Sequence, residues 1–186
     1  MFLEPAALSI ALAKLRGGKI KNLGKTDIKG YWFFILAAVI QGILSFSKLY
    51  KLPMAEMFLG SGFVYIMLAS YTIMLLTVIA NWEKGYMKLF FIGLLLNMTV
   101  IIWNDGRMPV SLNGIEGIRQ ESVLPDREYD IKHTAVDKDT KLVWLADIIL
   151  IPEPYPLPKI LSIGDIFIMS GVFLFFQKEM LSTKRT

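Results

Sequence analysis

The chain has 186 residues, 54% of them hydrophobic and 19% charged, with a formal net charge of +4, and its mean hydropathy is +0.51. So apolar a composition is that of an integral membrane protein rather than a soluble domain of this length, with a soluble helical bundle of long buried helices as the lesser alternative. With no Cys and a single His, disulfides, thiolate catalysis, Cys-type zinc or iron-sulfur ligation and a bis-His haem are all ruled out, so no metal site and no cofactor are predicted.

The apolar residues gather into runs rather than spreading with a period of a helix or a strand, which is how membrane spans read. The first run, 1–15, is short and carries Glu4 and Pro5. Its positive charge follows it and no small-residue cleavage site appears, so a retained first helix is expected rather than a signal peptide. Further spans are predicted at about 31–50, 54–82, 87–103 and 160–177. Several are near the short limit for a bilayer, which thinning or snorkelling accommodates. Within the runs, Gln41, Ser45, Glu56 and Asn97 are sparse polar points. Asn97 is expected to make a helix–helix hydrogen bond, and Gly93 and the Gly60–Gly62 region to allow close helix contact.

Orientation follows from the basic residues. Lys14, Arg16, Lys19, Lys21, Lys25, Lys29, Lys84, Lys88, Lys178, Lys184 and Arg185 share one side, opposed only by Asp27, Glu83 and Glu179. The positive-inside tendency puts that side and the C-terminus in the cytoplasm and segment 104–159 outside a bacterial inner membrane. Trp32 and Trp82 fall at the inner ends of their runs and Trp103 and Trp144 at the outer ends, as interfacial belts do. The basic 16–29 loop serves as the positive-inside anchor; docking of an anionic lipid or a cytoplasmic protein is a weaker use for it. The pI of about 9.2 arises from topogenic lysines, so no nucleic-acid partner is expected.

The polar insertion, 104–159, holds the single His and most of the carboxylates. It opens with a turn, Asn104-Asp105-Gly106-Arg107-Met108-Pro109, where Arg107 can hold a phosphate or carboxylate in two-pronged fashion. Residues 112–130 read as a solvated loop. Thr134 and Asp137 have capping-box spacing, which predicts a short helix there. The Asp137–Asp139 alternation lacks the Gly and Glu of a calcium loop. The apolar stretch 142–151 is too short to span and is expected to lie at the interface or to pack on the outer ends of the helices. Asp147 interrupts it and needs a partner, Arg107 being the expected one, with a Lys or backbone N–H groups as alternatives. Pro152, Pro154, Pro156 and Pro158 favour an extended strut returning the chain to the bilayer. Ser162 and Asp165 then have capping-box spacing at the start of the last helix.

The fold class expected is therefore an all-α integral membrane protein, a single membrane domain of about five transmembrane helices with one extended extracytoplasmic loop containing a short interfacial segment. Leu15-Arg16-Gly17-Gly18-Lys19, the turn from Asn104 to Val110, and Leu145-Ala146-Asp147 through Ser162-Ile163-Gly164-Asp165 resemble an uncharacterised family of small bacterial multi-pass membrane proteins grouped under a domain of unknown function. The turn is usually Asn-Gly-Gly-Arg-Met-Pro in that family, so Asp105 departs from its pattern. The resemblance implies bacterial origin and topology and no activity.

Two functions fit these residues. One is a binding or accessory protein whose outer site, drawn from Asn104, Asp105, Arg107, His133, Asp147 and Asp165, recognises a lipid headgroup or a partner protein. The other is a membrane-embedded hydrolase or transferase using two carboxylates among Asp105, Asp147 and Asp165, with His133 as acid or base. A transporter membrane subunit is a weaker third reading, because no ionisable group lies at mid-depth.

Overall fold

The computed structural model describes residues 3–50, 62–112 and 132–182. It is mostly helical, with α1 (Leu3–Leu15), α2 (Tyr31–Leu49), α3 (Phe63–Ile79), α4 (Gly85–Trp103) and α5 (Ile163–Leu181). Two 3-10 turns, Ile20–Lys25 and Val143–Leu145, and four three-residue strands complete it: β1 (Met108–Val110), β2 (His133–Ala135), β3 (Ile149–Ile151) and β4 (Lys159–Leu161). The helices form an arc in the order α1-α5-α4-α3-α2, and α2 packs broadly on α3 alone among the described residues.

Alternation of chain direction puts the connections at two ends of the arc. At one end the 16–29 loop, the turn after α3 and the last turn of α5 are tied together. Lys19 N–H donates to the Met180 carbonyl, the Asn22 amide to the carbonyls of Met180 and Ser182, and Asn81 bridges both the N–H and the C=O of Lys29. The 16–29 loop and the turn after α3 thus lie at one end of the bundle, while Lys184 and Arg185 of the same sequence-derived grouping lie outside the described residues.

Small residues bring α4 and α5 together. A Cβ added at Gly93 would stand 2.5 Å from the Gly164 carbonyl oxygen, and one at Gly164 would overlap the Asn97 amide. This is the close approach expected of Gly93. The Gly60–Gly62 region lies almost wholly outside the described residues.

The other end carries a cap of strands, which a purely helical reading does not foresee. Strand β1 pairs in parallel with β2, Met108 opposite His133, and Asp147 bridges to Val110. The 142–151 stretch takes the packed one of its two expected placements, a 3-10 turn on the helix ends feeding a bridge and then β3, with Leu145, Ala146 and Asp147 buried. The proline run is not an extended strut. Strands β3 and β4 pair antiparallel, Ile149 opposite Leu161, and the Tyr155 N–H closes a turn on the Pro152 carbonyl. Proline cannot donate to a ladder, so pairing stops at Pro152 and resumes beyond Pro158.

Nor does Thr134 cap a helix, because it lies inside β2. Asp137 instead closes a turn, accepting from the Asp139 N–H and the Thr140 hydroxyl, both at 2.9 Å. The Thr140 hydroxyl and the Asp139 N–H hold its carboxyl below the usual carboxylate range. The loop expected at 112–130 lies outside the described residues except for Leu112.

By length and composition, one described helix, Gly85–Trp103, suffices to cross a membrane, while the apolar stretches Tyr31–Ser47 and Phe63–Ile79 are shorter. Five full-length spans are therefore more than the described helices establish. Helix α1 has only 13 residues, α5 includes Asp165, Lys178 and Glu179, and the start of the span expected at 54–82 falls outside the described residues.

Candidate functional site

The site lies where the cap meets the helices. Helix α5 begins with the predicted capping box: the Ser162 hydroxyl accepts from the Asp165 N–H at 2.9 Å, and Asp165 Oδ2 accepts from the Ser162 N–H at 3.1 Å. Asn97 of α4 reaches across the Gly93–Gly164 contact. Its amide donates to Asp165 Oδ1 at 3.0 Å, and its carbonyl accepts from the Ser162 hydroxyl at 3.0 Å. Asn97 is thus the interhelical hydrogen bond foreseen for it, and also a member of the site.

Asp147 arrives from the cap. Its N–H donates to the Pro109 carbonyl and its carbonyl accepts from the Ser111 N–H, which fixes it beside β1. Its residue surface is only 7% exposed. The Asp165 carboxyl lies within hydrogen-bonding reach of it, and His133 Nε2 stands 3.8 Å from its Oδ2. Its Oδ1 is buried and receives no N–H or O–H among the described residues. Burial first, and then the neighbouring Asp165 charge, push the Asp147 carboxyl up to about 7, with His133 opposing the shift. Two adjacent carboxyls out of water cannot both ionise cheaply, which favours the protonated form of Asp147. Asp165 accepts from two donors.

Of the residues marked in the sequence, the fold brings His133, Asp147 and Asp165 together. Asn104, Asp105 and Arg107 stay on the outer turn. The Asn104 amide donates to the carbonyls of Val100 and Lys141 and accepts from the Lys141 N–H, so it pins the cap to α4. Asp105 is exposed with a φ of 55°, and Gly106 turns the chain at a φ of 83°. Arg107 is exposed and does not meet Asp147. Strand β1 runs inward from Arg107, and its parallel partner β2 delivers His133 in that role.

Beneath the carboxyls is a cavity of about 720 Å³. Its wall is made of stripes at helical spacing: Phe34, Ala38 and Gln41 from α2, Met67, Tyr71 and Met74 from α3, and Phe90, Leu94, Asn97 and Ile101 from α4. Ile168 and Val172 of α5 close the apolar part, while Lys132, His133, Asp147, Lys159 and Asp165 stand at the cap. Sequence reasoning missed Tyr71, Lys132 and Lys159. The stripes were the available signal, since each helix presents its lining at intervals of three or four. The Lys159 ammonium pairs with Glu4 of α1, whose Oε1 accepts from the Tyr155 hydroxyl at 2.9 Å.

Fold and cavity define a class: a predominantly helical protein with an apolar-walled internal chamber and a polar, acid-bearing head. The chain belongs to a family of unknown function, DUF5317, whose model matches residues 25–177. That range includes the Asn104–Val110 turn and the Asp147 to Asp165 stretch that carried the resemblance, and leaves the Leu15–Lys19 leader outside it. The chain is also 30% identical over 178 residues to an uncharacterised protein of Thermotoga maritima, covering 95% of this chain and 90% of that one. No solved structure matches.

Proposed function

We propose that this is a multi-pass membrane protein that binds an amphipathic, lipid-like molecule, with the hydrocarbon part in the chamber and the polar part at Asp147, Asp165 and His133. The observation that carries the reading is the two-part lining of one cavity, aromatic and aliphatic along the helices and ionisable at the cap. Such a division fits a ligand that is itself divided.

The membrane setting has separate support. Trp32, Phe33, Leu36, Val39, Ile43 and Phe46 of α2 are all exposed, an apolar face far larger than water tolerates. Only 39% of the most apolar stretch of α4 is buried, although that helix sits mid-arc. A core helix of a soluble protein would be mostly covered. Nineteen residues of helix extend about 28 Å, close to the hydrocarbon thickness. All four Trp side chains are exposed and fall near the two ends of the arc, where aromatic belts lie. With the basic end inside a bacterial inner membrane, the cap and the carboxyl pair face outward.

The enzymatic alternative needs both carboxyls free to exchange protons with a substrate. Both Asp165 oxygens already accept, one from Asn97 and one from Ser162, so binding is the better supported use.

Native mass spectrometry of the protein released from mild detergent tests this. Wild type is expected to retain a lipid-like molecule, and Ala38→Trp or Val172→Trp, each filling the chamber, to lose it about tenfold. Equal retention by wild type and both variants would overturn the reading.

A further inference from the structure

The ligand's head group can be narrowed, resting on the reading just given. We propose that the head is a primary ammonium, seated against Asp147 and Asp165 and donating an N–H to the unpartnered Asp147 Oδ1. That oxygen is buried and lacks a donor among the described residues, its residue lines the chamber, and a buried acceptor left unpaired is costly. Its neighbour Asp165 is an acceptor too. Asp147 Oδ1 therefore lacks an N–H donor among the described residues, and a primary ammonium supplies one together with a compensating positive charge, with three donors on one compact charge.

Other head groups fit less well. A phosphate or carboxylate would bring acceptors to acceptors. A hydroxyl brings one donor and no charge. A quaternary ammonium brings charge and no N–H. The cationic groups at the cap do not fill this role: Lys159 is tied to Glu4, and His133 approaches Oδ2 rather than Oδ1. Apart from Lys132, the remaining polar groups facing the chamber, Gln41 from α2, Tyr71 from α3 and Asn97 from α4, bring no carboxyl and no ammonium.

Seating the ammonium displaces the proton held by the carboxyl pair, so one proton is released for each ligand bound. With Asp147 titrating near 7, apparent affinity rises about tenfold from about pH 6 to about pH 8.

The experiment presents the detergent-solubilised full chain with phosphatidylethanolamine, phosphatidylcholine and phosphatidylglycerol of identical acyl chains, and separately with dodecylamine. Retention is read by native mass spectrometry at about pH 6 and about pH 8. Phosphatidylethanolamine is expected to exceed the other two phospholipids by about tenfold, to gain with pH, and to lose its preference in Asp147→Asn. Dodecylamine binding without phosphatidylethanolamine binding would assign the ammonium to a free amine rather than a membrane lipid and still uphold the proposal. Equal retention of the three phospholipids without dodecylamine binding, preference for phosphatidylglycerol, or a preference indifferent to pH would overturn it. The pH arm uses wild type and does not depend on a variant folding. If chamber-filling variants lose lipid while no head group is preferred, the amphiphile reading stands and the ammonium fails. If they lose nothing, the amphiphile reading itself fails.

Discussion

Both ends of this bundle bury a carboxylate on α5, and they treat it differently. At the basic end Glu179 accepts from the Tyr86 hydroxyl at 2.8 Å and the Thr26 hydroxyl at 3.0 Å, while Arg16 donates to the Gln177 side chain at 2.8 Å. Each oxygen of Glu179 has a donor. At the cap, Asp165 is equally well supplied, but it supports a second acid that is not. Asp147 keeps a buried oxygen without a donor at the mouth of a large chamber. Saturated polar groups fasten helices, whereas an unsaturated one held in place by saturated neighbours is what a binding site needs.

The contrast can be broken most forcefully at Asp165. Asp165→Ala removes the helix cap and strands the Asn97 amide and the Ser162 N–H, and is expected to cost about 3 kcal/mol in stability, read as a lowered midpoint of thermal unfolding in detergent. Glu179→Gln retains acceptor and donor capacity and should cost distinctly less. Equal losses would erase the distinction between the two ends.

A subtler probe is Asp147→Asn. The Asp147 carboxyl lies above its ordinary 3.8, at about 7, so its contribution is fully present below about pH 4, declines as pH rises and is gone above about pH 7. Asn stays neutral throughout. The variant should match wild type in acid and exceed it by about 4 kcal/mol at about pH 8, in paired unfolding curves. A wild-type stability that instead rises across this interval would place the proton elsewhere. The smallest effect belongs to Arg107→Ala, expected to change stability by no more than about 0.5 kcal/mol and to leave lipid retention unchanged.

Much of this was legible in the residues. Long apolar runs gave the helices, and the Ser162–Asp165 spacing gave the cap that α5 forms. Asp147 was rightly marked as an acid in need of a partner, but the partner was misassigned. His133 reaches it through three-residue strands, too short for any alternation to register. The alternating prolines carried an ambiguous signal, because the same missing N–H groups that favour an extended strut also permit a hairpin tip. The chamber was invisible for a different reason. It arises where stripes from separate helices face one another, and their angular alignment depends on the Gly93–Gly164 approach rather than on any one segment.

The tie between α1 and α5 has a consequence for how the chain is made. The Ser9 hydroxyl donates to the Phe173 carbonyl at 2.6 Å, and Gln177 donates back to the Ser9 carbonyl at 2.7 Å. Glu4 finds Lys159 and Tyr155 only at the tip of the β3–β4 hairpin. A helix synthesised early therefore depends for its partners on segments synthesised more than a hundred residues later. Contacts so distant along the chain form slowly, which leaves α1 waiting on the ribosome's progress, and any interruption of synthesis before α5 strands it without a neighbour.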